Sequence, residues 1–128
     1  MKILDSDHCI AIMRGVLGAQ KRITPNETLA VTTISVGELI HGANKSADPA
    51  KNIARVNLLL STVTILPFDE SAARRFGKVK ADLERVGIRL TDLDLQIASI
   101  ALTRDVVLLT HNQKHFARIP ALQIEDWL

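Results

Sequence analysis

The chain has 128 residues, 47% apolar and 23% charged, which suits one globular domain with one core. Its net charge of +2 is too weak to mark a nucleic-acid binder by itself, and four aromatics (Phe68, Phe76, Phe116, Trp127) with no Tyr argue against a stacked-base platform, though not against a grip on a phosphate backbone. The lone Cys9 excludes an intrachain disulfide, no apolar run nears the roughly 20 residues of a membrane span, and the N-terminus lacks a signal peptide's pattern, so a cytoplasmic protein is expected.

Met1–Leu4 is an apolar run that stops at Asp5-Ser6-Asp7, and it reads as strand one. Ile10–Val16 reads as a short helix, and Lys21–Glu27, with Pro25 and Asn26, as a loop. Leu29–Ile34 is rich in β-branched residues and reads as strand two. Ser35 is expected to cap a helix whose apolar positions Val36, Leu39, Ile40 and Ala43 recur at helical spacing. Pro49–Leu60 reads as another helix, with proline suited to its first turn. Val63–Leu66 is a strand ended by Pro67. Glu70–Val86 is amphipathic through Ala72, Phe76, Val79, Leu83 and Val86, and Gly87 stops it. Leu93–Leu102 is almost wholly apolar, a buried helix with Thr91 as its N-cap. Val106–Leu109 reads as a strand, and Leu122–Ile124 as a final edge strand. Alternating strands and helices predict a single α/β domain over residues 1–128, with a central, mostly parallel sheet covered on both faces.

The acidic residues fall at particular places in this scheme. Asp5 and Asp7 follow strand one. Glu38 lies in the first turn after strand two, and Asp92 and Asp94 lie in the first turn of the buried helix. Asn112 follows the Val106–Leu109 strand through Thr110 and His111. In a parallel sheet these strand ends share one edge, where ligands bind. Neighbouring carboxylates repel, so such a site calls for a cation. Hard oxygen donors without zinc-type spacing suit Mg²⁺ or Mn²⁺, which bridge phosphate oxygens and activate water. Each residue alone also has a plain reading: Asp5 as a turn or cap, Glu38 as a complement to the helix dipole, Asp94 as part of a capping box with Thr91. Convergence on one edge favours a site. So does the apolar character of the helix after Asp94, where a carboxylate is costly unless paired or metal-bound.

At these residues the chain resembles the PIN-domain ribonucleases. Ile3-Leu4-Asp5-Ser6-Asp7 is similar to that family's opening, which typically reads Leu-Asp-Thr-Asn. Ile34–Gly42 resembles its second motif, Leu93–Ala98 its third and Leu109–Pro120 its last. Glu125-Asp126-Trp127 resembles the usual end. Four motifs in the right order span nearly the whole chain. The resemblance is closest to the VapC branch, the toxins of type II toxin–antitoxin pairs.

The resemblance implies a three-layer α/β/α PIN-like fold and a metal-dependent endoribonuclease. It implies Asp5, Glu38 and Asp94 as the metal-binding acids, using Mg²⁺ or Mn²⁺ to hydrolyse a phosphodiester without a protein nucleophile. Asn112 stands where many relatives have a fourth acid, and its amide adds no negative charge, which weakens the case for a second metal. Ser6 replaces the usual Thr, and Asp7 the usual Asn. Ser6, Asp7, Asp92 and Thr110 are candidates for the outer shell, with Asp92 also a plain cap. A small VapB-like antitoxin is implied as partner, contacting operator DNA on behalf of the pair. An RNA substrate, tRNA among the candidates, and a homodimer are implied too. Ile53, Val56 and Leu60 are expected to serve both antitoxin docking and the core.

Other signals carry less. Glu38-x-x-His41 matches half of a di-iron site and has no second half, so His41 reads as a surface residue. His8, His111 and His115 fit no zinc signature, though the last two lie near the site. Cys9 reads as a small core residue. Arg74, Arg75, Lys78, Arg85 and Arg89 suggest a basic face, either merely solvated or steering RNA. Two alternatives stay open: a scaffold that binds without catalysis, and an Asp-x-Asp phosphatase of the haloacid dehalogenase type, which lacks its downstream lysine here.

Overall fold

The computed structural model describes residues 1–16 and 22–128, so Lys21 of the predicted loop lies outside the described residues. Five parallel strands form one sheet in the order β3-β2-β1-β4-β5. They are β1 (Lys2–Leu4), β2 (Leu29–Thr32), β3 (Thr64–Leu66), β4 (Val107–Leu109) and β5 (Ile124–Glu125). The chain builds outward from β1 to one side, then returns to build the other. The switch therefore falls between β1 and β4, where Leu4 pairs with Leu109. Ligands of open α/β sheets bind at such a reversal, beyond the carboxyl ends of the strands.

Strand alternation divides the core in two. Ile3, Ala30 and Leu108 point to one face, and their neighbours Leu4, Val31 and Leu109 point to the other. The second face is covered by α1 (Ser6–Met13), α2 (Thr33–Lys45) and α3 (Pro49–Leu60), through Cys9, Leu39, Ala43, Val56 and Leu59. The first is covered by α4 (Glu70–Arg85), α5 (Asp92–Arg104) and α6 (Gln113–Phe116), through Ala72, Leu83, Leu95, Ile97 and Phe116. The expected three-layer arrangement holds, and every pairing is parallel. With both sheet faces covered, the central strands can be short, with buried apolar side chains on both faces.

The differences from the predicted elements lie mainly at helix starts. The first helix begins at Ser6 rather than Ile10 and ends at Met13 rather than Val16, because the Asp5 side chain caps it by accepting from the Ser6 N–H. The second strand ends at Thr32 rather than Ile34. Thr32, not Ser35, is the cap, its hydroxyl accepting from the Ser35 N–H. In both places a polar residue at a strand end already serves the next helix, with no loop between. The short α6 was not predicted, and the last strand is Ile124–Glu125 rather than Leu122–Ile124. Thr91 does cap α5, accepting from the Asp94 N–H. Gly87 follows α4 at φ +77, a left-handed conformation that stops the helix.

Val56 is buried, and Ile53 and Leu60 pack beside it, so the core role expected of the Pro49–Leu60 helix is met. His41 is exposed and Cys9 fully buried, its thiol pushed up to about 12 first of all by that burial. Among the described residues no helix is long and apolar enough to cross a membrane.

Candidate active site

Asp5 stands where β1 becomes α1, at the switch point. Its Oδ1 accepts from the Ser6 N–H at 2.8 Å, and its Oδ2 from the Thr110 hydroxyl at 2.8 Å. Thr110 directly follows β4 and is fully buried. The two strand ends are tied again by the Asp5 N–H, which donates to the Leu109 carbonyl at 2.9 Å. Asp5 itself is only 8% exposed. Burial pushes its carboxyl up to about 6; the bonds from Thr110 and Ser6 oppose this, and the charges of Asp7 and Glu38 add to it.

Glu38 reaches the same place from α2. The Ser6 hydroxyl donates to its Oε1 at 3.3 Å, so residue 6 holds two acids, one through its backbone and one through its side chain. Burial raises the Glu38 carboxyl above its ordinary value, the Ser6 bond lowers it, and Asp94 and Asp7 raise it further. The acids therefore feel one another's charge. Among the described residues no three His, Cys, Asp or Glu side chains close around a single point.

Asp94 opens α5. Its Oδ2 lies 3.3 Å from His115 Nδ1, and the same Nδ1 lies 2.8 Å from the Asn112 amide nitrogen. Asn112 is anchored through its own backbone N–H, which donates to the Thr110 hydroxyl oxygen at 3.1 Å. One hydroxyl thus joins Asp5 to the Asn112 turn. Thr110→Val keeps the shape and removes both bonds. The variant is expected to lose about 1–3 kcal/mol in urea denaturation. Because the lost bond favours ionised Asp5, the loss should be larger at pH 8 than at pH 4; equal losses would count against this account of Thr110.

Asp7 faces away from this cluster. Its Oδ1 meets His8 Nδ1 at 2.7 Å, and its Oδ2 accepts from the His111 N–H at 3.0 Å. His8 is fully buried, and its Nε2 accepts the Trp127 N–H at 3.0 Å. An accepting Nε2 places the ring proton on Nδ1, so His8 donates to Asp7. His111 Nδ1 meets Asp126 Oδ2 at 2.8 Å and closes the ring of contacts. Asp92 is also apart: it pairs with Lys80 of α4 at 2.8 Å on the exposed surface.

Of the predicted residues, the structure thus groups Asp5, Ser6, Glu38 and Thr110 by direct bonds, and Asp94 with Asn112 through His115. The roles of His8 and Trp127 in tying down Asp7 had no local signal, since 119 residues separate the two. A groove of about 320 Å³ opens beside Glu38, with an apolar wall of Leu39 and Val56 and the cations Arg14 and Arg55. Those arginines come from separate segments, and nothing in the sequence joins them. On α4, Arg74, Lys78 and Arg85 are paired with Glu70 and Asp82, so much of that basic face is neutralised locally.

A model of the PIN domain matches residues 2–122. The chain is similar to the tRNA(fMet)-specific endonuclease VapC of Salmonella typhimurium, 35% identical over 98% of this chain and 96% of that protein. In three dimensions it resembles the DNA-bound VapBC from Salmonella typhimurium, with a TM-score of 0.93 and 34% identity, covering 99% of this chain and 98% of that one. It also resembles VapBC2 from Rickettsia felis bound to a DNA fragment from their promoter, with a TM-score of 0.92 and 28% identity over 99% of this chain and 98% of that one.

Proposed function

The chain belongs to the PIN-domain family, as a VapC-type ribonuclease of a toxin–antitoxin pair, and from that premise we propose that Asp5, Glu38 and Asp94 hold Mg²⁺ or Mn²⁺ to cleave tRNA. The observation that carries this is the state of Asp5: a buried carboxylate, raised further by the charges of Asp7 and Glu38, kept in place by two hydrogen bonds. A cation offsets both the burial and the repulsion that raise it, and an all-oxygen acid set matches a hard divalent ion. When bound, such an ion neutralises charge at the phosphate and makes water a better nucleophile.

The chain's own residues do the rest. The Ser6 N–H and the Thr110 hydroxyl orient Asp5, and the Ser6 hydroxyl orients Glu38. Asn112 offers an uncharged polar group at the same edge. Arg14 and Arg55 sit by Glu38 and counter the acids' field, so that a phosphate backbone can approach. The antitoxin's segment competes for that groove, and promoter DNA is contacted through the antitoxin. The protein works in the cytoplasm, as a homodimer.

The test uses the full chain freed of antitoxin, with initiator tRNA as the first substrate. Cleavage is expected with Mg²⁺ or Mn²⁺ and not with a chelator. Glu38→Gln and Asp94→Asn should each reduce it by at least about a hundredfold and weaken metal binding by calorimetry. Cleavage in a chelator, or wild-type metal binding by both variants, would remove the proposal.

A further inference from the structure

We propose that the groove beside Glu38 is a subsite for one unstacked RNA nucleotide, and that Asn52 reads its base there, favouring a base with an exocyclic amino group over uracil. The inference rests on the reading that the acids cleave RNA, and it concerns how that RNA is chosen.

Asn52 of α3 lines the groove, and the hydrogen bonds around it fix how its amide is turned. The Ser46 hydroxyl donates its only proton to the Ala43 carbonyl at 2.6 Å, where α2 ends. Its oxygen, 2.8 Å from Asn52 Nδ2, is therefore an acceptor, and the amide nitrogen faces it. Turning the amide would set two acceptors against each other or break the Ala43 bond. Asn52 Oδ1 is thus left as an acceptor with no donor among the described residues, held ready for an N–H group. Adenine, cytosine and guanine each carry an amino group at one end of the pairing edge. Uracil has a single N–H there, flanked by two carbonyls that would face Oδ1 acceptor to acceptor.

The rest of the groove suits the rest of a nucleotide. At about 320 Å³ it lies at the small end of ligand pockets, so it takes one nucleotide and not a helix, and the base must leave its stack to enter. Leu39 and Val56 give the ring an apolar wall. Arg14 and Arg55 stand in no salt bridge among the described residues, although Glu38 lines the same groove. Two cations with no acid to answer them match a phosphate, and a guanidinium also stacks on a base. Gly42 keeps the space clear: a Cβ at that position would meet nothing within 4 Å.

The experiment uses the full chain without antitoxin, and short single-stranded RNAs in which each position around the cleaved bond carries each base in turn. Cleavage is measured with Mn²⁺, and binding by fluorescence anisotropy in a chelator, where nothing is cut. Wild type should favour adenine, cytosine or guanine over uracil about fivefold at one position beside the cleaved bond, in both measurements. In Asn52→Leu, and in Ser46→Ala, which frees the amide to turn, that preference should fall below about twofold, with preferences at other positions kept. Gly42→Leu, which fills the groove, should abolish it. Arg14→Gln and Arg55→Gln should weaken binding of all sequences alike and lower the salt slope by roughly 0.7 each. Far-ultraviolet circular dichroism checks that the variants fold. A wild type with no such preference, a preference that survives in Asn52→Leu, or a loss in that variant equal for all four bases overturns the inference. So does an Asn52→Leu variant changed only in its affinity for the antitoxin, the outcome for a groove that serves that partner alone. If these failures accompany metal-dependent cleavage, the acid site stands and only the subsite is excluded. A base preference in binding, without cleavage in Mn²⁺, removes the acid reading and keeps the subsite.

Discussion

Asp5→Asn is expected to abolish RNA cleavage while making the metal-free protein more stable at neutral pH. The activity loss should be roughly a thousandfold, matching the several kcal/mol that a bound ion contributes to charge at phosphorus. The stability gain follows from the raised carboxyl. Its ordinary value is 3.8 and its folded value about 6, so folding disfavours the ionised form. Below about pH 4 the group is protonated folded and unfolded, and no penalty exists. The penalty grows from pH 4 to 6 and is complete above that, at most about 3 kcal/mol. An amide escapes it, but its NH₂ meets the Thr110 hydroxyl less well, which costs about 1 kcal/mol. Urea denaturation without divalent ions should therefore show a gain of about 1–2 kcal/mol at pH 7.5 and none at pH 4. A variant less stable than wild type at pH 7.5 would contradict the electrostatic account.

The second large effect is expected at His8. His8→Leu keeps the volume near constant but leaves the Trp127 N–H without its acceptor and Asp7 without its ring donor. Both bonds lie in or beside the core, so the loss should be about 2–4 kcal/mol. Trp127 is the only tryptophan, so its fluorescence reports on this region alone. A red shift under native conditions is expected, together with the lower denaturation midpoint. The released Asp7 also loosens the His111 backbone, next to Thr110, and cleavage should fall about tenfold with metal affinity nearly kept. A stability loss under about 1 kcal/mol would show that these bonds are replaceable by water.

The apolar runs and helical spacing were enough to predict the layers of this fold. Strands buried on both faces read as plain apolar runs, and α4 carries a strong one-sided pattern. The edges of elements were harder, for a physical reason seen at Asp5 and Thr32. Each residue ends a strand and caps the next helix at once, so a turn expected between them has no residues of its own. The acids Asp5, Glu38 and Asp94 were legible because strand ends in a parallel sheet share an edge. The different roles of Asp5 and Asp7 came from the family resemblance alone, and the partners of each carboxylate were not legible. Asp5 meets Ser6 and Thr110, whereas Asp7 is held by His8 and His111. Asp92 is the reverse case: adjacent in sequence to the site's helix start, it turns outward to Lys80. His115 was expected near the site, with a substrate contact or a surface role left open, but its contact with Asp94 was not legible because α6, the short helix that brings it there, has too little pattern to predict.

The closing of the site across β1 and β4 also sets a schedule. Asp5 is made well before its hydroxyl partner, which comes 105 residues later, and the donor to His8 comes 119 residues after His8. A growing chain that has not reached Thr110 cannot hold Asp5 in its buried position. One that has not reached Trp127 leaves His8 half satisfied and Asp7 loose. Asp5 and Glu38 are therefore made long before the contacts that hold Asp5 and Asp7 in place.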